Sequence, residues 1–299
     1  MRRSIVPTSD MQAGKHSRTA EAMAIIRAME YRGQEPARRI LTDPWAEHFI
    51  QSHFARRLVT QRLSARLLSL LTGLWIPGAQ EYALARARLV DDLTLQLATQ
   101  GLRQLVILGA GFDTTIFRLQ DKLRGVRVFE VDHPATQRVK MAALSRIDTP
   151  ENLHFVPVDF ESENIAEQLM MSGFQRKRFS LFTWMGVTYY LTNEAVAETL
   201  TQLAGLCAPG SHLILDFASE AVVAGATGGR AARIGLKQAR WLGEPFLFGR
   251  DSAQAISDLA DFGFDLITLY DQRKLQELYC PRGRAPVDFM YIVWCVRRD

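Results

Sequence analysis

A 299-residue chain that is 47% hydrophobic and 23% charged has the composition of a globular protein able to bury a sizeable core, which excludes a disordered or fibrous one. Its formal charge of +4 comes from scattered basic residues without an aromatic-interleaved stripe, which argues against nucleic acid as a partner and suits an acidic small substrate. Cys207, Cys280 and Cys295 are odd in number and far apart, a spacing that fits neither a disulfide framework nor a metal site and points to a reducing, cytoplasmic setting.

In chain order, Met1-Arg2-Arg3 is basic, but Ser9, Asp10, Gln12 and Lys15 interrupt the apolar run a secretory signal needs. Residues 17 to about 100 read as helices. Residues 19–29 combine high helix propensity with a recurring apolar face. Asp43-Pro44-Trp45-Ala46-Glu47 predicts a helix start, with Asp43 as N-cap and Pro44 in the first helical position. The apolar stretch 67–76 contains Ser69, Thr72 and Gly73 and is too short to span a bilayer. It is expected to be a buried helix or part of a substrate lid, with contact at a membrane surface as the lesser alternative, and no membrane is counted among the expected partners. Residues 81–100 predict a further long helix.

From Leu102 the pattern alternates. Apolar strands at 105–108, 126–131, 153–158, 179–184 and 211–217 are separated by segments able to be helical, which predicts a parallel sheet with right-handed crossovers. A helix at 253–262 follows, then strands at 266–270 and 290–296 that can pair antiparallel at one edge. Residues 273–287 read as a polar loop, and the glycine-rich segment 225–230 as flexible. The expected organisation is an α/β, Rossmann-like, mostly parallel sheet with an antiparallel C-terminal strand. Its N-terminal helical region (residues 1–100) serves as lid and substrate region, and residues 101–299 form the cofactor-binding domain.

The most informative stretch is Leu108-Gly109-Ala110-Gly111-Phe112-Asp113-Thr114: a buried-strand run broken by two glycines, as when backbone must approach a ligand. A dinucleotide fingerprint needs a third glycine where Thr114 stands. The carboxylate of Asp113 would repel a pyrophosphate but not the sulfonium and ammonium of S-adenosylmethionine. About 20 residues on, Glu130 and Asp132 tip a second strand, where such folds hold ribose hydroxyls. Alternation along the strand puts both on one side, so spacing alone does not separate them. Asp159 ends the third strand, where a carboxylate can accept from an adenine amino group and the Phe160 N–H can serve a ring nitrogen. Asp159 is equally well placed to cap the following helix. Arg86 and Arg88 lie two apart on a helix and face different ways; a guanidinium fork there suits a cofactor carboxylate.

These motifs, with Phe129-Glu130-Val131-Asp132-His133-Pro134, Gly186-Val187-Thr188-Tyr189-Tyr190-Leu191, Arg18-Thr19-Ala20 and Arg86-Ala87-Arg88-Leu89-Val90-Asp91-Asp92, resemble the leucine carboxyl methyltransferase family. The likeness runs from about residue 17 to the C-terminus. It implies a class I S-adenosylmethionine-dependent methyltransferase of the bacterial small-molecule O-methyltransferase branch. The resemblance further implies cofactor contacts at Gly109, Gly111, Asp132, Asp159 and Phe160, a cofactor-carboxylate partner in Arg86, and a structural ion pair for Arg88 near Asp91 or Asp92. Where the family usually carries Glu before Gly-Val, this chain has Met185, which can supply apolar contact and a polarizable sulfur but no charge.

The reading from sequence is therefore O-methyl transfer to a small molecule, with a carboxylate as the expected acceptor. A carboxylate is already ionised at neutral pH, so no obligatory catalytic acid or base is expected. His133 and His154 lie near strand tips, Trp184, Tyr189 and Tyr190 are candidate pocket walls, and Arg230, Arg233 and Arg240 are candidates to orient an acidic substrate. Two rivals are a nicotinamide-dependent oxidoreductase, disfavoured by Asp113 and Thr114, and a non-catalytic binding protein that keeps the fold, for which Met185 is the support.

Overall fold

The computed structural model describes residues 18–145 and 147–298; the reading of residues 1–15 lies outside them. Four helices lead: α1 (Arg18–Gly33), α2 (His53–Thr60), α3 (Arg62–Trp75) and α4 (Ala79–Thr99). The alternating part then runs β1 (Gln104–Leu108), α5 (Thr115–Arg118), β2 (Arg127–Asp132), α6 (Pro134–Leu144), β3 (Leu153–Pro157), α7 (Ile165–Met171), β4 (Ser180–Trp184), α8 (Asn193–Leu206) and β5 (His212–Ala218). The chain closes with α9 (Glu220–Val223), α10 (Arg230–Leu242), α11 (Ser252–Asp261), β6 (Phe264–Tyr270), α12 (Gln272–Tyr279) and β7 (Met290–Arg297).

The seven strands form one sheet in the order β3-β2-β1-β4-β5-β7-β6. The first five are parallel and β7 runs antiparallel to both neighbours. The two last strands do pair antiparallel, as expected, but β7 inserts beside β5 and leaves β6 at the edge. Alternation along β1 sends Leu105 and Ile107 into one core and Val106 and Leu108 into the other. The first core is shared with α1 and α4 through Ala28, Leu89, Leu93 and Leu97; the second is filled from α7, α8 and α11 by Leu169, Leu203 and Leu259. The helical N-terminal region therefore packs on the sheet and closes one of its faces.

Three sequence expectations change. Asp43 starts no α-helix: it precedes a short 3-10 turn, Ala46–Phe49, whose N-cap is Trp45, and its Oδ1 accepts from the N–H groups of Trp45 (3.0 Å) and Ala46 (3.1 Å). Its other oxygen is held by Arg27 and Thr114. Second, the supposed polar loop 273–287 contains α12. Asp271 caps that helix by accepting from the Lys274 N–H (2.9 Å), Arg273 pairs with Glu277 one turn on, and Leu275 is fully buried. A single anchoring apolar residue in an eight-residue helix leaves too short a pattern to read as amphipathic. Third, the apolar stretch 67–76 is not buried: α3 carries it with most of its leucines exposed. No described helix is long and apolar enough to cross a membrane.

Candidate active site

The strand order reverses between β1 and β4, and in open α/β sheets that switch opens a crevice at the carboxyl ends of the strands. A cavity of about 600 Å³ lies there. Its floor is the loops after β1, β2, β3 and β4, and its walls come from α1, α4 and residues 243–247. All seven residues expected at the cofactor, Arg86, Gly109, Gly111, Asp132, Asp159, Phe160 and Met185, line this one cavity.

The glycine loop is shaped by conformation. Gly109 and Gly111 have φ of +64° and +50°, a region that penalises any side chain. A Cβ on Gly109 would sit 2.2 Å from a methyl carbon of Val187, and one on Gly111 3.1 Å from the Cβ of Ala20. The loop is anchored from several sides. The N–H groups of Gly109 (2.8 Å) and Ala110 (3.1 Å) donate to the Val131 carbonyl. Arg27 donates to the carbonyl of Phe112 (2.5 Å) and Lys140 to that of Asp113 (2.7 Å). Asp113 lines the cavity, and its carboxylate accepts from the Thr115 N–H (2.7 Å) at the start of α5.

At the second strand tip the structure separates two residues that spacing could not. Glu130 is wholly buried, with the Lys140 ammonium 2.6 Å away; burial pushes its carboxyl up to about 7 even against that cation. Asp132, one pleat further on, lines the cavity. It accepts from the N–H groups of Gly111 and of His133 (2.6 Å), and burial raises its pKa although those two bonds favour the charged form. His133 caps α6, its Nδ1 accepting from the Ala135 N–H (3.2 Å), and it also lines the cavity. His154 stacks on Phe129 instead, with ring centroids 5.1 Å apart.

Asp159 does not cap a helix. Its carboxylate accepts from the Glu161 N–H (3.0 Å), and the cap of α7 is Asn164, five residues later, accepting from Glu167 (3.0 Å). The strand-end loop is longer than the sequence suggested, which keeps Asp159 and Phe160 at the cavity edge rather than in a helix turn.

Sequence reasoning missed Asp216. This carboxylate, on β5, is fully buried. It accepts from the Gly186 N–H (2.7 Å), the Arg86 guanidinium (2.9 Å) and the Tyr82 hydroxyl (3.1 Å). The signal was present as an acid inside the apolar run Leu213-Ile214-Leu215-Asp216-Phe217, since a charge in a central strand must be paired. Asp216 sets both Arg86 and the turn after Met185. Burial opposes the charge on Arg86, but Tyr189 and Asp216 more than offset it and raise its pKa. Arg88 faces away and pairs with Asp92 at 2.9 Å, while Asp91 pairs with Arg118 at 2.7 Å.

Of the aromatic candidates, Tyr190 lines the cavity, whereas Trp184 and Tyr189 are core residues. Arg230, Arg233 and Arg240 do not line it. They lie exposed on α10.

The chain is similar to known proteins along much of its length. YktD of Bacillus subtilis, named as a candidate S-adenosyl-L-methionine-dependent methyltransferase, is 38% identical over 54% of this chain and 54% of its own. A Parafrankia protein with the same description is 34% identical over 67% of this chain and 63% of its own. The matched part thus spans between half and two thirds of these relatives. Among solved structures, a candidate methyltransferase from Thermobifida fusca aligns with a TM-score of 0.60 at 17% identity, covering 99% of this chain and 100% of its own. A DUF574 family protein from Streptomyces avermitilis gives 0.60 at 14% identity, over 91% of this chain and 100% of its own. At such identities the structures speak for the fold, and a family model, matched over residues 20–204, speaks for more: the chain belongs to the leucine carboxyl methyltransferase family.

Proposed function

We propose that this chain transfers a methyl group from S-adenosylmethionine to a carboxylate oxygen of a small molecule. The observation that carries this reading is convergence. Seven residues drawn from α4 and from the ends of β1, β2, β3 and β4 meet in one cavity of about 600 Å³, a volume within the range of small-molecule sites.

The lining suits the cofactor chemically. Asp132 and Asp159, at neighbouring strand tips, are acceptors for ribose hydroxyls and an adenine amino group. Phe160 offers a ring face, and Arg86, held by Asp216, is the cation for the cofactor carboxylate. Asp113, Asp132 and Asp159 make the floor acidic, which favours a sulfonium and disfavours a pyrophosphate. When bound, the cofactor supplies an electrophilic methyl group; the chain's part is to align the acceptor and exclude water.

A carboxylate acceptor is supported by how the polar side chains are engaged. His133 is turned to its helix cap and Tyr190 has its phenol pushed well above its ordinary value by burial. The Tyr190 phenol keeps its proton, and a carboxylate acceptor gives none up. The walls from α1 and α4, with Ala20, Met23, Ala83 and Val90, favour an acceptor with an apolar body.

The test is incubation of the purified protein with methyl-labelled S-adenosylmethionine and a panel of apolar carboxylic acids. The expected product releases labelled methanol in mild alkali, as a methyl ester does. Label stable to alkali would replace the carboxylate with another acceptor. In parallel, calorimetry should show S-adenosylhomocysteine binding to the wild type and at least tenfold weaker binding to Asp132→Ala. A folded wild type that binds neither nucleoside would overturn the reading.

A further inference from the structure

Helix α3 is built inside out. The side turned to the molecule carries Ala65, Ser69 and Thr72, with Leu68 partly buried against the core. Ala65 is fully buried, and Ser69 donates to the Gln80 side chain (3.1 Å). Gly33 on α1 leaves room for the α3 backbone, since a Cβ there would meet the Arg66 nitrogen at 3.0 Å. The outward side carries Leu63, Leu67, Leu70, Leu71 and Leu74, each more than half exposed. Their three- and four-residue spacing makes a single stripe along the helix. Phe54 on α2 and Trp75 at the end of α3 are also more than half exposed. A contiguous apolar face of this kind marks an interaction surface.

Charge identifies the occupant. Between Glu47 and Glu81 the chain has no acidic residue, while Arg56, Arg57, Arg62 and Arg66 fall within it. Arg62 pairs with Glu35. Arg57 and Arg66 are exposed and make no ion pair with a described residue. Helical periodicity places Arg62 and Arg66 along one flank of the leucine stripe. Leucine and aromatic side chains beside arginines, of which Glu35 neutralises Arg62 and leaves Arg57 and Arg66 without an ion pair to a described residue, are what an interfacial helix presents to an anionic bilayer. A two-fold contact between two copies would instead set this arginine-bearing face against itself.

We propose that the α2–α3 face seats the protein on an anionic phospholipid surface, where the sequence favours a buried helix or a lid and holds membrane contact as the lesser alternative. The leucine stripe enters the acyl boundary and Arg57 and Arg66 meet the phosphates. The proposal is independent of the chemistry in the cavity, because none of these residues lines it.

The test is vesicle sedimentation of the full chain with phosphatidylcholine alone and with phosphatidylcholine containing phosphatidylglycerol. Wild type should partition at least tenfold better onto the anionic vesicles, and less so at high salt. Arg57→Gln/Arg66→Gln should lose about 25-fold, at about fivefold per arginine. Leu67→Glu/Leu71→Glu should lose binding altogether, with melting temperatures confirming that both variants are folded. Light scattering completes the test. A dimer that Leu67→Glu/Leu71→Glu dissociates would give the face to a second copy and overturn the proposal. So would wild type that ignores anionic vesicles, or variants that bind as wild type does.

Discussion

At the residue scale, the two loop glycines differ in what they prevent. Gly111 needs only its backbone conformation and a little space beside Ala20, so Gly111→Ala should cost about 1–2 kcal/mol, the penalty of a left-handed residue. Gly109 has the same conformational need and, in addition, a methyl carbon of Val187 where its Cβ would go. Gly109→Ala should therefore melt well below Gly111→Ala, and the reverse order would contradict the loop geometry. Asp216→Asn is expected to cost about 3–5 kcal/mol by urea unfolding, as removing one partner of a buried pair does. It should also weaken S-adenosylhomocysteine binding, because Arg86 loses the group that aims it. A loss below about 1 kcal/mol would show that Arg86 finds another partner.

At the element scale, Asp43 knits together parts distant in sequence. It joins Arg27 of α1 (2.8 Å) and Thr114 of the glycine loop (2.6 Å), with Arg118 of α5 at 3.5 Å. Burial works to raise its pKa, but Arg118 and Arg27 outweigh it and hold the carboxyl below its ordinary value. A carboxyl depressed on folding stabilises the native state above its unfolded pKa, and the contribution fades as pH falls through the folded one. Melting temperatures of wild type and Asp43→Asn should therefore differ most near neutral pH and converge toward acid. A gap constant from pH 7 to pH 3 would rule that linkage out. Element identity was largely readable from the chain: β1 through β5 and α4 lie within a residue or two of their expected bounds. α12 was not, because its pattern is one buried leucine and a cap.

At the scale of the whole molecule, the N-terminal helices and one sheet face share a core, with Leu89, Leu93 and Leu97 of α4 in the same cluster as Leu105 and Ile107 of β1. Arg284, beyond α12, adds ion pairs to Glu30 of α1 (2.9 Å) and Glu81 of α4 (3.0 Å). The sequence division at residue 100 is thus not expected to be a folding boundary. Calorimetric unfolding should show one transition, and saturating S-adenosylhomocysteine, at about 100 times its Kd, should raise stability by about 2.7 kcal/mol. Two separate transitions would make the helical region a unit of its own.

Strand and helix alternation, the glycine loop and the acidic strand tips are legible in the chain alone, because period, breaker residues and motif spacing are local properties. Tertiary structure decided the rest. Glu130 and Asp132 share a strand side, and only the depth of each beneath the loop makes one a buried partner of Lys140 and the other a cavity wall. Asp216 reads as a misplaced acid until β5 sets it beside Arg86 and the Gly186 turn. The leucines of α3 read as core because hydrophobicity records that a side chain avoids water, not which side of its helix the fold turns inward. There the small residues Ala65, Ser69 and Thr72 gained the close packing, Leu68 packs partly buried against the core, and Leu63, Leu67, Leu70, Leu71 and Leu74 were left outside.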